Sequence, residues 1–135
     1  MDVFFYGLFM DEALLAEKAV RPTSRAAGFA EGFALRIGQR ATLVPEPGGR
    51  AYGLVMTVTE AEAKSLYAEE SVADYRPEGV TVTLVAGGEV EAACYNLPQG
   101  PDGVINRDYA GKLLALASDL GLPEDYLDQI RELRD

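Results

Sequence analysis

The run Val3-Phe4-Phe5-Tyr6-Gly7-Leu8-Phe9-Met10, followed directly by Asp11 and a helix-forming stretch, constrains this chain more than any other segment. An apolar strand that breaks at a glycine and enters a helix start leaves backbone N–H groups without partners, and such groups can form a cradle for an anion. Gly7 has no Cβ, so the chain can turn sharply there and a ligand can approach the backbone. The alternative is an edge strand that ends in an ordinary turn.

At 135 residues the chain can bury a substantial core without disulfides or a metal, and one domain spanning 1–135 is expected. A net charge of −10 repels phosphate backbones, which argues against nucleic acid and anionic membranes as partners. The longest apolar run, Val3 to Met10, is interrupted by Gly7 and is too short to span a bilayer. Cys94 is the only cysteine, so no intramolecular disulfide forms and a reducing compartment fits. These features predict a soluble, cytoplasmic protein. Histidine is absent altogether, which removes Ser-His and Cys-His nucleophile pairs and the common His-rich zinc sites. Acid–base chemistry near neutral pH then falls to a carboxylate, Lys, Tyr or the single thiol.

Strand and helix periodicities alternate along the chain. A strand is expected over Val3–Tyr6, and Asp11 is positioned to cap a helix reaching about Ala19. Phe29, Phe33, Leu35 and Ile37 recur on one side of an alternating pattern from Gly28 to Ile37, predicting a strand with one buried face that Glu31 interrupts. Short strands at Ala41–Val44 and Ala51–Val58 flank the turn-like Pro45-Glu-Pro-Gly-Gly49, suggesting a hairpin. Thr59-Glu-Ala-Glu62 matches a capping box and starts a helix over Glu60–Ala68. A second hairpin is expected from Val80–Leu84 and Glu89–Leu97 around Gly87-Gly88, followed by a loop over Pro98–Val104. Asn106 caps a helix with the stripe Tyr109, Leu113, Leu116, Ala117 and Leu120, and Pro123 opens a last amphipathic helix carrying Tyr126, Leu127, Ile130 and Leu133.

Glu69 and Glu70 stand side by side at the expected end of the helix that begins at Glu60. Mutual repulsion and the negative end of a helix dipole both favour protonation, which brings a carboxyl toward the range a general base requires. The same pair also fits a solvated helix end.

The order and spacing of these pieces resemble the gamma-glutamylcyclotransferase-like superfamily. The resemblance rests on the strand ending in Tyr6-Gly7, on Ala41-Thr-Leu-Val-Pro45 and Ala51-Tyr-Gly-Leu54, and on a short helix leading to Leu66 with Glu70 four residues later. It continues through Tyr75-Arg76, the strand at Val80–Leu84, the Tyr109 helix and Gly121-Leu-Pro-Glu-Asp-Tyr126-Leu127. The resemblance implies an α+β fold, a small mixed β-barrel with flanking helices and a cavity at one end. It further implies a cyclisation in which the α-amine of a γ-glutamyl amine, amide or peptide attacks its own side-chain carbonyl, releasing 5-oxoproline and a free amine.

Carried onto this sequence, the resemblance gives Glu70 the role of general acid and base, with Glu69 in its place if the register differs by one. Tyr6, Gly7, Leu8 and Phe9 become the binding loop, Tyr75 the aromatic residue that follows the glutamate, and Tyr109 a further residue closing the pocket; ordinary core packing with a satisfied hydroxyl is the alternative for Tyr6, Tyr75 and Tyr109. Arg36, Arg40 and Arg107 are either partners for a substrate carboxylate or surface charges. The partner implied is a small γ-glutamyl molecule, with no metal and no cofactor. Leu8, Tyr67 and Ser71 depart from the family pattern, which more often has a small hydroxylated residue, an Asp and a Gly there. A binding protein without turnover on the same scaffold is the alternative.

Overall fold

Alternating apolar residues produce five strands in the computed structural model, which describes residues 1–135. They are β1 (Asp2–Phe5), β2 (Ser24–Ile37), β3 (Ala41–Thr57), β4 (Arg76–Leu84) and β5 (Glu89–Asn96). They close into a barrel in the order β1-β3-β2-β4-β5. β1 runs antiparallel to β3, with Val3 opposite Met56, and parallel to β5, with Val3 opposite Ala93, so the barrel is mixed. Four helices flank it: α1 (Glu12–Glu17), α2 (Glu60–Leu66), α3 (Arg107–Asp119) and α4 (Glu124–Arg134). This is the α+β barrel with flanking helices that the resemblance implies.

Local chemistry sets the helix starts. The Asp11 carboxylate accepts from the Ala13 N–H at 2.9 Å, and the Asn106 side chain accepts from the Tyr109 N–H at 3.0 Å. Thr59 and Glu62 complete the capping box, Glu62 N–H donating to Thr59 Oγ1 at 3.0 Å and Thr59 N–H to Glu62 Oε1 at 2.9 Å. The second oxygen of Glu62 accepts from the Arg21 N–H at 2.8 Å, tying the start of α2 to the segment that leads into β2. α1 ends two residues earlier than its pattern suggests, because Ala19 takes a left-handed φ of 60° and Val20 N–H returns to Leu15 O at 2.9 Å. Ala19 is the only non-glycine residue in that region, at a cost of about 1–2 kcal/mol.

Two sequence expectations about the β2–β3 region change. Ala41–Val44 and Ala51–Val58 do not pair with each other: both belong to β3 and lie along β2 in one antiparallel ladder, from Ile37 opposite Ala41 to Ser24 opposite Thr57. The hairpin turn is at Gly38–Arg40, and Pro45–Gly49 is an irregularity within β3 rather than a reversal of the chain. The register shifts between Glu31 and Phe33, where Gly32 has a φ of 83°. Such a bulge exchanges the two faces of a strand. Ala30 therefore points into the core before it, and Leu35 and Ile37 after it. Phe29 is left half-buried against the Tyr52 ring, 5.3 Å between centroids, with the Arg50 guanidinium 4.0 Å over its face.

The barrel interior joins the helix faces in one continuous core that includes Val3, Phe4, Met56, Val82, Cys94, Leu113, Tyr126 and Ile130. The Cys94 thiol is fully buried, and burial pushes its pKa up to about 12, so it stays a protonated core group. β3 reaches β1 closely only because residue 53 is glycine. A Cβ there would lie 2.3 Å from Phe5 O and 3.0 Å from the Phe4 ring. Gly53→Ala is expected to lose at least about 2 kcal/mol in denaturant unfolding, since neither the β1 backbone nor the enclosed Phe4 ring can give way. An unchanged midpoint would show that β1 adjusts freely.

Candidate functional site

At the carboxyl end of β1 the barrel opens into a cavity of about 240 Å³, lined mostly by apolar side chains. β1 delivers Phe4 and Phe5 to its wall. The chain then continues through Tyr6 and Gly7 into a single 3₁₀ turn, Leu8–Met10, before α1. Met10 N–H closes that turn on Gly7 O at 3.0 Å and Asp11 N–H on Leu8 O at 3.0 Å, while Leu8 N–H donates to Tyr109 Oη at 3.4 Å. The N–H groups of Gly7 and Phe9 take no part in these bonds.

Gly7 is required for a reason the sequence did not reveal. Its φ of −111° and ψ of −151° are open to any residue. A Cβ, however, would sit 2.6 Å from the Tyr109 hydroxyl. The glycine thus makes room for a phenol from α3, not for a left-handed turn.

Aromatic rings form much of the remaining wall. Tyr67 and Tyr95 stack with centroids 3.8 Å apart and planes 7° from parallel, and Phe9 meets Tyr67 edge-on at 5.8 Å. Tyr75 stands 6.1 Å from Tyr67 and donates its hydroxyl to Ala41 O, while Tyr6 Oη donates to Tyr95 O at 2.7 Å. Burial pushes the Tyr6, Tyr67 and Tyr75 hydroxyls well above the ordinary phenol range, and that of Tyr109 up to about 12. These phenols are therefore neutral donors near physiological pH, and none of them is a base there.

Three charged side chains line the cavity: Lys18, Arg40 and Glu69. Arg40 makes four guanidinium hydrogen bonds. Nε meets Asp102 Oδ2 at 2.6 Å, Nη1 and Nη2 meet the two Asp74 oxygens at 2.6 and 2.8 Å, and Nη1 also reaches Ser71 O at 2.7 Å. Together with the Arg40 N–H to Asp102 Oδ1 bond of 3.0 Å, these contacts join the β2–β3 turn, the segment before β4 and the loop after β5. Hydrogen bonds from the Arg40 side chain hold the Asp74 carboxyl down at about 2. Burial raises that of Asp102, but the Arg40 hydrogen bonds outweigh it and leave it below the usual range.

Glu69 receives both hydrogen bonds of a forked contact from Lys18 Nζ, at 2.7 and 2.9 Å. Its side chain is 41% exposed and that of Lys18 25%, so the pair stands at the mouth of the cavity rather than on its floor. α2 stops at Leu66, and Glu69 precedes a 3₁₀ turn, Glu70–Val72, in an extended conformation. The two glutamates therefore open a turn instead of closing a helix, and the dipole argument made from sequence does not hold. Glu70 is exposed and absent from the cavity wall, whereas Glu69 is its only acidic member.

Tyr6, Gly7, Leu8, Phe9, Tyr75 and Tyr109 all lie in the wall. Of the three arginines considered, only Arg40 does. Arg36 pairs at the surface with Glu46 at 3.3 Å, and Arg107 stands at the exposed start of α3. Lys18, Tyr67 and Tyr95 escaped sequence reasoning, although Tyr67 was visible as a departure from the family pattern and turns out to be the ring that the others pack around.

The model of the AIG2-like family matches residues 50–130, more than half of the chain. The chain belongs to the AIG2-like family. With it comes membership of the gamma-glutamylcyclotransferase-like superfamily, and solved structures carry the same fold. A structure described as gamma-glutamyl cyclotransferase superposes with a TM-score of 0.75 at 20% identity, covering 97% of this chain and 86% of the other. An uncharacterized protein from Homo sapiens gives 0.79 at 20% identity, covering 96% and 85%. An AIG2-like protein from Mus musculus gives 0.61 at 19% identity, covering 72% and 76%. No curated protein sequence matches this AIG2-like chain. No helix in it is long and apolar enough to cross a membrane.

The geometry of this AIG2-like site has two measurable consequences. Gly7→Ala is expected to lower stability by about 1–3 kcal/mol, and adding Tyr109→Phe, which deletes the clashing oxygen, should restore most of the loss. Failure of the second change to rescue the first would show that Tyr109 is not the obstacle. The Arg40 cluster should also govern acid stability. Asp74 and Asp102 have folded-state pKa values below their unfolded ones, so their contribution is complete above about pH 4 and is lost as pH falls toward about 2. Melting temperature in the wild type should fall across that window more steeply than in Arg40→Met, and parallel curves would refute the linkage.

Proposed function

We propose that the protein is a cyclotransferase acting on a small γ-glutamyl amine, amide or peptide, releasing 5-oxoproline and a free amine, with Glu69 as the group that carries protons. One observation supports this reading above the others: a single carboxylate, Glu69, lines a cavity whose wall also includes Gly7, Leu8 and Phe9.

The chemistry follows from proton accounting. The attacking α-nitrogen begins as an ammonium and ends as a lactam N–H, so it sheds two protons. The departing nitrogen gains two and leaves as an ammonium. A carboxylate placed between the two nitrogens can load and unload in turn, so neither histidine nor a second acid is needed. As the C–N bond forms at the γ-carbonyl, negative charge gathers on its oxygen. The N–H groups of Gly7 and Phe9 are suited to meet it, a well-aimed donor being worth about 3–4 kcal/mol in such a site. Ring closure is intramolecular, and walls formed by Tyr67, Tyr75 and Tyr95 favour a folded substrate by excluding extended conformers. We place the reaction in the cytoplasm, where a lone buried thiol such as Cys94 stays reduced.

A binding protein without turnover is the second reading, and the Lys18 contact favours it, because a base already paired with a cation is less available to a substrate amine. Substitution separates the two. Glu69→Gln should reduce 5-oxoproline release by about 10²–10⁴-fold, while melting changes little, since an exposed ion pair contributes at most about 1 kcal/mol. Glu70→Gln should retain activity. Full activity in Glu69→Gln would overturn the assignment, and absence of product from wild type across a γ-glutamyl panel would leave the binding reading.

A further inference from the structure

Three cations and anions face the cavity, and they differ in how many partners hold them. Arg40 is bound by two carboxylates and a carbonyl from surrounding segments, through four side-chain hydrogen bonds that hold it in place. Lys18 is held by Glu69 alone, through a contact at the rim that solvent already reaches. An ammonium and a carboxylate side by side at the mouth of an otherwise apolar cavity complement a ligand head that carries both charges. Inserting an α-ammonium against Glu69 and an α-carboxylate against Lys18 replaces one ion pair by an alternating set of four charges, with no charge left unpaired. The left-handed Ala19 ends α1 immediately after Lys18 and so fixes the point from which its side chain reaches Glu69.

Building on the proposed reaction, we infer that Lys18 is a specificity-determining residue that binds the free α-carboxylate of the γ-glutamyl head, and that substrate engagement parts Lys18 from Glu69. The loop N–H groups then remain available for the oxygen of the reacting carbonyl. The single contact explains two requirements together: Glu69 becomes free to accept a proton only when a carboxylate has drawn Lys18 away. A compound whose α-carboxylate is capped should be a poor ligand even if its γ-amide is intact.

The test compares a γ-glutamyl amine with the same compound carrying an α-carboxamide, using wild type, Lys18→Met and Lys18→Arg, all verified as folded by thermal melting. Wild type should prefer the carboxylate compound. Lys18→Met should lose about 10–100-fold in kcat/KM for it, chiefly through KM, with no fall for the carboxamide, whose turnover rises because Glu69 is released from its cation, and Lys18→Arg should recover most of the loss. An equal fall for both compounds, or no fall for either, overturns the inference, because Lys18 would then serve only Glu69 or nothing at the site. If wild type forms no 5-oxoproline, it is the proposed reaction that fails. The same two compounds are then titrated calorimetrically against wild type and Lys18→Met. A Lys18-dependent preference for the carboxylate upholds the inference, and binding that ignores Lys18, or no binding at all, overturns it.

Discussion

The short strand β1 is wedged between β3, which it meets antiparallel, and β5, which it meets parallel, and this double pairing closes the barrel. A four-residue strand can do so only where its neighbours come close. Gly53 provides that approach on one side, with the Phe5 carbonyl and Phe4 ring occupying the space of its missing side chain. Everything at the cavity hangs from the end of this strand. Tyr6 is pinned to β5 through the Tyr95 carbonyl, Gly7 is covered by the Tyr109 hydroxyl from α3, and Leu8 and Phe9 of the following turn line the opening. The loop is anchored by elements distant in sequence, β5 through Tyr95 and α3 through Tyr109.

A second support comes from Arg40, which binds Asp74 and Asp102 from two different segments while its guanidinium lies 5.4 Å from the Tyr75 ring centroid. A planar, five-donor group suits this task, because several acceptors in fixed directions can be satisfied at once. With most of its donors used in this way, Arg40 braces the cavity wall. The contrast with Lys18 matters physically: one cation is held by many partners and the other by one, so only the second can change partner at small cost.

Much of the architecture was legible because it depends on local rules. The caps at Asp11, Thr59 and Asn106 are short-range hydrogen bonds, and the β4–β5 hairpin follows from β-branched residues around Gly87-Gly88. Misreadings arose where non-local pairing decides. Pro45–Gly49 has turn composition, yet both flanking segments find the same partner, β2. Phe29 has the right period for a buried face, but the bulge after Glu31 reverses which side is inward. At the site, the wall residues from Tyr6 to Phe9 were legible as one contiguous motif. Which of Glu69 and Glu70 borders the cavity was not, since it turns on where α2 stops and how the next turn is oriented. Lys18 carries no local signal at all, because its significance is a contact 51 residues away.

The ring-rich wall also gives the molecule a built-in optical report. The chain contains seven tyrosines and no tryptophan, and Tyr6, Tyr67, Tyr75, Tyr95 and Tyr109 border the opening. Ultraviolet emission from this protein therefore originates largely from its own vestibule, with no indole to mask it. A guest that slides against the stacked Tyr67 and Tyr95 faces alters the surroundings of the very chromophores being excited, so occupancy can be followed without any label.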